Sequence, residues 1–323
     1  MTFANIIDHD RQKEVLRQAL SHGRLAHAYL FEGPDGVGKR LMALALARAL
    51  FCEAGDGCGE CPACRKVDHL NHPDLHLLSA DGQQIKIDQI RAIQKELALR
   101  PLEGAVRFCL IDGAETMNPA AANALLKTLE EPQPGTHLIL LSPKPEMLLD
   151  TIRSRCQRLR FNRLPRARLA QVLEHRLELS EQDASVMAAL ADGSFRKAFG
   201  DNRELYLDRR KKLIRALVSL SSGSIFPLFE LAQELADDKE NLADILDIYQ
   251  SFLRDLLLLI HGRPEKELVN IDMRETLYAQ AAKENPSGLL KKLEALDQAR
   301  FHLQRNVNRQ LAMESMLLEM TAA

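Results

Sequence analysis

The stretch HAYLFEGPDGVGKRLMALALARALF, His27 to Phe51, limits what this chain can fold into more than any other. An apolar run of strand length enters a loop holding Gly33, Gly36 and Gly38, then leaves as an apolar run of helix length. Strand, glycine loop and helix in that order belong to α/β architecture, whose sheets are mainly parallel. Within the loop GPDGVGKR, Gly33, Gly38 and Lys39 match the pattern G-x-x-x-x-G-K-[ST]. Such glycines let backbone amides close around phosphate oxygens, and the lysine reaches the terminal phosphates. The last position of the pattern supplies a hydroxyl to magnesium. Here it is Arg40. Two readings stay open: an ATPase with an altered loop, or a scaffold kept without the chemistry.

The rest of the first half continues the alternation. VRFCLIDGAE (Val106 to Glu115) and THLILLS (Thr136 to Ser142) read as apolar strands. Between them Asn118 can cap and Pro119 can open the helix AAANALLKTLEE, which Pro132 ends. After about Phe161 the strand signals stop. Leu164 to Phe199 reads as three short helices, with Ser180 and Asp183 at capping-box spacing and Gly193 as a break. From about Arg203 the chain looks helical, and Leu293, Leu296, Ala299, Leu303, Val307 and Leu311 fall on one stripe of a final helix. The expected organisation is an α/β domain over 1–162, a small helical domain over 163–202 and an all-α domain over 203–323.

Composition narrows the function classes. The 323 residues carry 43 basic and 45 acidic side chains, a net charge of −2. No global basic field recommends a stand-alone DNA binder, so a nucleic-acid role has to be local or shared with partners. The first residues carry charges from position 8 and no apolar core, unlike a signal peptide. The longest apolar run, Leu256 to Ile260, is too short to span a membrane and reads as a buried helix stripe. A cytoplasmic protein is expected.

Four of the six cysteines, Cys52, Cys58, Cys61 and Cys64, fall within CEAGDGCGECPAC. Clustered thiols at this spacing suggest a tetrahedral, structural zinc site. Iron–sulfur ligation is the alternative, although RKVDHL follows Cys64 where a ferredoxin places a further cysteine and a proline. His69 and His72 read as surface histidines rather than ligands, and Cys109 as a core residue. Asp112 ends its strand where a Walker B acid would sit. An ATPase would follow it with a glutamate to orient water, and this chain has Gly113, with Glu115 expected to point elsewhere. Arg153, Arg155, Arg158 and Arg160 form a basic run that is either a solvated face or a source of one arginine for a neighbour's triphosphate.

AHAYLFEGPDGVGK, the cysteine insertion, ANALLKTLEEP, LILLSPKPEMLLDTI with the SRC of Ser154 to Cys156, GSFRKAF and RNVNRQLAMESMLLEM occur in that order. As a set they resemble the bacterial clamp-loader family of DNA polymerase III over nearly the whole chain. The resemblance implies an AAA+ P-loop domain with a parallel sheet, a small helical lid and an all-α collar. It implies a cytoplasmic replication subunit of a DNA-directed DNA polymerase, a nucleotidyltransferase holoenzyme. Its expected partners are the gamma/tau motor subunits and the delta subunit in a five-subunit ring, with the sliding clamp and primed DNA reached through the complex. Of the family, the chain is most similar to the member with little or no ATPase activity of its own. That likeness makes Arg155 an arginine finger acting in trans, and Cys52, Cys58, Cys61 and Cys64 ligands of structural zinc. Gly33, Gly36, Gly38, Lys39 and the lid residue Arg196 would form a degenerate site for ATP or ADP. An autonomous AAA+ ATPase, or a motor-type subunit, is the alternative.

Overall fold

The computed structural model describes residues 2–200, 205–220, 225–305 and 307–322. The chain forms two compact units, Met1–Leu164 and Pro165–Ala323. The first runs α1 (Asp10–Ser21), β1 (Ala28–Glu32), α2 (Lys39–Phe51), α3 (Pro62–Asp68), β2 (Leu75–Leu78), α4 (Ile87–Leu97) and β3 (Arg107–Asp112). It continues with α5 (Pro119–Glu130), β4 (Thr136–Ser142), α6 (Asp150–Arg153) and β5 (Gln157–Arg160). The strands make one sheet in the order β2-β3-β4-β1-β5, with every pair parallel.

The three strands signalled by sequence are the central ones, covered on both faces, which is why they read as continuous apolar runs. Successive side chains alternate between the faces. Tyr29, Phe31, Phe108, Leu110, Ile139 and Leu141 pack with Leu16 of α1 and Met42 and Leu46 of α2. Leu30, Cys109, Ile111, Leu138 and Leu140 pack with Ile90 of α4 and with Leu125 and Leu129 of α5. Cys109 is therefore core, as its sequence suggests. The two edge strands gave no sequence signal because they are short and half-exposed. β5 takes the residues QRLR out of the basic run and buries Leu159 alone among them, the charged, abbreviated style that discourages further pairing.

Local chemistry starts the helices where expected. The Asn118 side chain accepts from the Ala121 N–H at 2.8 Å, and Pro119 is the first residue of α5. Because the sheet is parallel, the C-terminal ends of all five strands share one rim, where open α/β sheets place ligands. Glu32 and the loop after it lie on that rim, as do Asp112, Ser142 and Arg160.

The second unit is helical: α7 (Arg166–Leu177), α8 (Glu181–Leu190), α9 (Phe195–Phe199), α10 (Arg210–Ser219), α11 (Ile225–Asp237), α12 (Leu242–Ile260), α13 (Arg274–Ala281), α14 (Pro286–Gln304) and α15 (Arg309–Ala322). The Ser180 hydroxyl caps α8 by accepting from the Asp183 N–H at 3.1 Å. The expected boundary at 202/203 falls outside the described residues. Leu256 to Ile260 close α12 with Leu256 buried. Among the described residues no helix is long and apolar enough to cross a membrane.

The single final helix expected from the leucine stripe is two helices. Leu296 and Ala299 are buried, but Val307 is 38% exposed and Leu311 60%. Asn308 explains the interruption: its side-chain oxygen accepts from the Leu311 N–H at 3.2 Å, a cap that starts α15 afresh.

Candidate functional site

The glycine loop sits between β1 and α2. The Phe161 N–H donates to the Glu32 carbonyl at 2.7 Å, which draws the following segment against the loop. A Cβ on Gly33 would stand 2.0 Å from the Phe161 carbonyl oxygen, so only glycine fits. Gly36 lies in the turn with φ 76° and Gly38 precedes α2 with φ 104°. His9 supports the loop from behind. Its Nε2 contacts the Val37 carbonyl at 2.8 Å, and its ring meets Phe161 edge-on at 4.9 Å. Burial lowers the His9 pKa, opposed by that carbonyl bond. A lone histidine before an amphipathic helix gives no sequence signal for this role.

Lys39 is buried. Its Nζ donates to the Gly33 carbonyl and to the Pro34 carbonyl at 2.7 Å, with Asp35 4.0 Å away. Burial lowers its pKa, while Asp35, Asp112 and Glu115 pull it back up. Glu115 lies in a short 3-10 helix (Ala114–Thr116) after β3, with its Oε2 buried and without a hydrogen-bond partner.

Arg40 makes the decisive contact. Its Nη1 lies 2.8 Å from Asp112 Oδ2, with both side chains half-exposed. The residue in place of the magnesium hydroxyl therefore puts its own cation on the strand-end acid. Gly113 follows at φ 72° and ψ 44°, a left-handed conformation that a glutamate would enter only under strain.

Arg155 follows α6 and is 36% exposed. Its Nη2 pairs with Glu130 Oε1, on α5, at 2.7 Å, and its Nη1 donates to the Thr151 carbonyl at 3.0 Å. Its neighbours are engaged locally. Arg153 pairs with Asp150. Arg158 and Arg160 donate their Nε–H groups to the two oxygens of Glu32, at 2.9 and 2.7 Å. Glu32 is 4% exposed, so the run is an acid-paired edge rather than a free basic face. Arg196 lies exposed on α9, in the second unit.

At its other end α2 stops at Cys52. The ligand atoms of Cys52, Cys58, Cys61 and Cys64 all lie within 4.8 Å of one another, and Cys58 Sγ is 4.0 Å from Cys64 Sγ. A tetrahedron with metal–sulfur bonds of about 2.3 Å has edges of about 3.8 Å, so the tetrad has the size and donors of a zinc centre. None of the four is in a disulfide. Burial would raise the Cys52 thiol, but N–H groups of Cys58 and Ala54 outweigh it and bring it down to about 6. Cys64 is pushed up to about 12, mainly by burial. Four adjacent thiolates need a cation to coexist, which is the chemical case for a metal. His69 is exposed, as expected. His72 is not a surface residue: it is buried and stacked on Phe51 at 3.9 Å, and its Nδ1 accepts from the Asp74 N–H.

Residues 8–165 match the family model described as DNA polymerase III, delta subunit, and residues 204–322 match that of the delta subunit, C terminal. DNA polymerase III subunit delta' of Bacillus subtilis is 32% identical over 95% of this chain and 94% of its own length. The chain belongs to the DNA polymerase III delta' family. DNA polymerase III subunit tau of the same organism is 30% identical over 78% of this chain and 46% of its own length. Among solved structures, a DNA polymerase III gamma subunit-related protein of Thermotoga maritima superposes with a TM-score of 0.51 at 16% identity, covering 95% of this chain and 98% of that one. The last likeness shows the fold alone, an α/β unit followed by helices.

Proposed function

We propose that this delta' family member is the non-motor subunit of a bacterial clamp loader. In the cytoplasm it joins gamma/tau motor subunits and a delta subunit in a five-subunit ring, lends Arg155 to the adjacent ATP site, and helps place the sliding clamp on primed DNA. The observation that carries the reading is the 2.8 Å pair between Arg40 and Asp112. A hydrolysing P-loop holds magnesium at these two positions, and the metal neutralises charge on the transferring phosphoryl group. A guanidinium held by Asp112 balances the acid but supplies no metal coordination to the phosphate oxygens, and Gly113 leaves no carboxylate there to orient water. Backbone amides of the loop and Lys39 remain able to hold the phosphates of ATP or ADP. What supports a finger role for Arg155 is that its partly exposed guanidinium is held by Glu130 at 2.7 Å.

The cysteine tetrad would hold zinc through Cys52, Cys58, Cys61 and Cys64. Zinc with four thiolates supplies a structural cross-link with no open position for chemistry.

The test is DNA- and clamp-stimulated ATP hydrolysis by reconstituted complexes. Fingers in related systems are worth about 10³–10⁵ in rate at their own site. Arg155→Ala should lower complex turnover by less than that, because other ATP sites keep their own arginines. Arg155→Lys should fail almost as badly, since an ammonium lacks the planar fork. Arg153→Ala is the control. A normally assembled Arg155→Ala complex with wild-type turnover would make Arg155 a surface residue. The isolated chain should hydrolyse far below the roughly 1 s⁻¹ of working enzymes; turnover at that level, abolished by Lys39→Ala, would support the autonomous or motor-type reading instead.

A further inference from the structure

The end of α2 that meets the cysteines is the wrong end for an anion. The 13-residue helix closes at Cys52, so the negative pole of its macrodipole faces the tetrad. A divalent cation among four thiolates still leaves two net negative charges. Something must offset both, or the centre binds its metal weakly.

Arg48, in the last turn of α2, is positioned to do so. It is 3% exposed. Its Nη1 donates to Asp68 Oδ1, on α3, at 3.0 Å, and it stands one turn before Cys52, beside the loop that carries Cys58 and Cys61. Its Nη2 lies against Gly59, where a Cβ would come within 2.5 Å. Its Nε is buried with no hydrogen-bond partner. Burying a guanidinium against one half-exposed carboxylate is poor value as a stability device, because desolvation of the cation cancels most of the attraction. Next to an anionic tetrathiolate the same burial strengthens the interaction that needs it.

We infer that Arg48 is the resident counter-cation of the metal-bound tetrad: it donates to the Cys64 thiolate and offsets the helix pole. Arg48 does not touch the metal. It acts through Cys64, as a positioning residue whose effect is read in metal affinity and in the electronic state of the sulfur. The inference rests on the tetrad holding a metal.

The experiment uses the full-length chain loaded with zinc, then with Co²⁺ as a spectroscopic probe. Loss of an outer hydrogen bond to a ligand costs about 10–100-fold in metal affinity. Arg48→Met should therefore release zinc to a chelator about 10–100-fold faster. Its sulfur-to-Co²⁺ charge-transfer band should move to lower energy, because a thiolate without its donor gives up charge more easily. Arg48→Lys should recover part of the affinity through its charge. Arg48→Gln, which removes the charge but keeps a polar side chain, should repeat the loss of affinity even if Arg48→Met folds poorly. Asp68→Asn tests the rival role of a strut between α2 and α3, and should leave the band in place. Wild-type release and an unmoved band in Arg48→Met, or Asp68→Asn matching it in both readouts, would overturn the inference. Wild-type chain that takes up neither Zn²⁺ nor Co²⁺ would overturn the metal reading itself.

Discussion

The two ends of α2 present opposite electrostatic problems. At the N-terminal end the helix pole is positive and the loop is shaped for an anion, yet its cations already have partners. Lys39 donates to the carbonyls of Gly33 and Pro34, and Arg40 pairs with Asp112. At the C-terminal end the pole is negative, and four thiols stand close enough to share one ion. At the first site the cations are met by the protein's own groups. At the second, four thiols could hold a metal ion. A motif therefore signals a demand for ligand only as far as its charges lack partners in the fold.

The largest effect should come from breaking the cysteine end. Cys64→Ser removes a buried ligand, so metal content should fall from about one zinc per chain to near zero. Binding energy there is also folding energy, so thermal unfolding should begin at lower temperature. Normal metal content in this variant, measured by elemental analysis, would remove the contrast between the ends.

Glu32→Gln tests how firmly the other end is built. Glu32 receives both Arg158 and Arg160 while almost fully buried. Breaking a buried pair costs about 3–5 kcal/mol when both partners are enclosed. Here the arginines reach solvent, so a loss of roughly 1–2 kcal/mol is expected from urea titration. An unchanged midpoint would mean that the edge strand β5 stands without its ion pairs. It also follows that Arg158 and Arg160 are unsuitable as neutral controls for Arg155.

Arg40→Ser should have a smaller effect and the opposite sign. It frees Asp112 and restores a hydroxyl, so ADP affinity measured by calorimetry should become magnesium-dependent and rise about tenfold, or 1.4 kcal/mol. Hydrolysis should not return, because Gly113 stays in its left-handed conformation. Equal ADP affinity with and without magnesium in this variant would show that Arg40 is not what keeps the metal out.

How much of this was legible depended on burial and on sequence distance. The central strands and α2 announce themselves because two-sided burial demands apolar runs. The edges β2 and β5 do not, since each has only four residues and an open side. The tetrad was legible because all its donors lie within thirteen consecutive residues. The Arg40–Asp112 pair was not: Arg40 read as a departure from the loop pattern and Asp112 as an ordinary strand-end acid, and only the parallel sheet brings positions 72 apart in sequence to one rim. The break between α14 and α15 was missed because leucine spacing persists across it, while one asparagine cap decides the backbone.

The smallest prediction concerns His9, which joins the rim to the loop through the Val37 carbonyl. Burial holds its folded pKa below the ordinary value of 6.5, and His72 and His137 are lowered for the same reason. A lowered histidine pKa means that the unfolded chain binds the proton more readily than the folded one. The stabilisation is therefore complete above about pH 6.5 and is lost as pH falls from there through the folded values. Urea midpoints at about pH 7.5 and about pH 5.5 measure the total slope. His9→Gln keeps a side-chain donor near Val37 but no longer titrates, so its slope should be shallower by the His9 share while those of His72 and His137 persist. If wild type and His9→Gln lose stability equally over that range, His9 is not held neutral by the loop, and the N-terminal end of α2 depends on Lys39 and Gly33 alone.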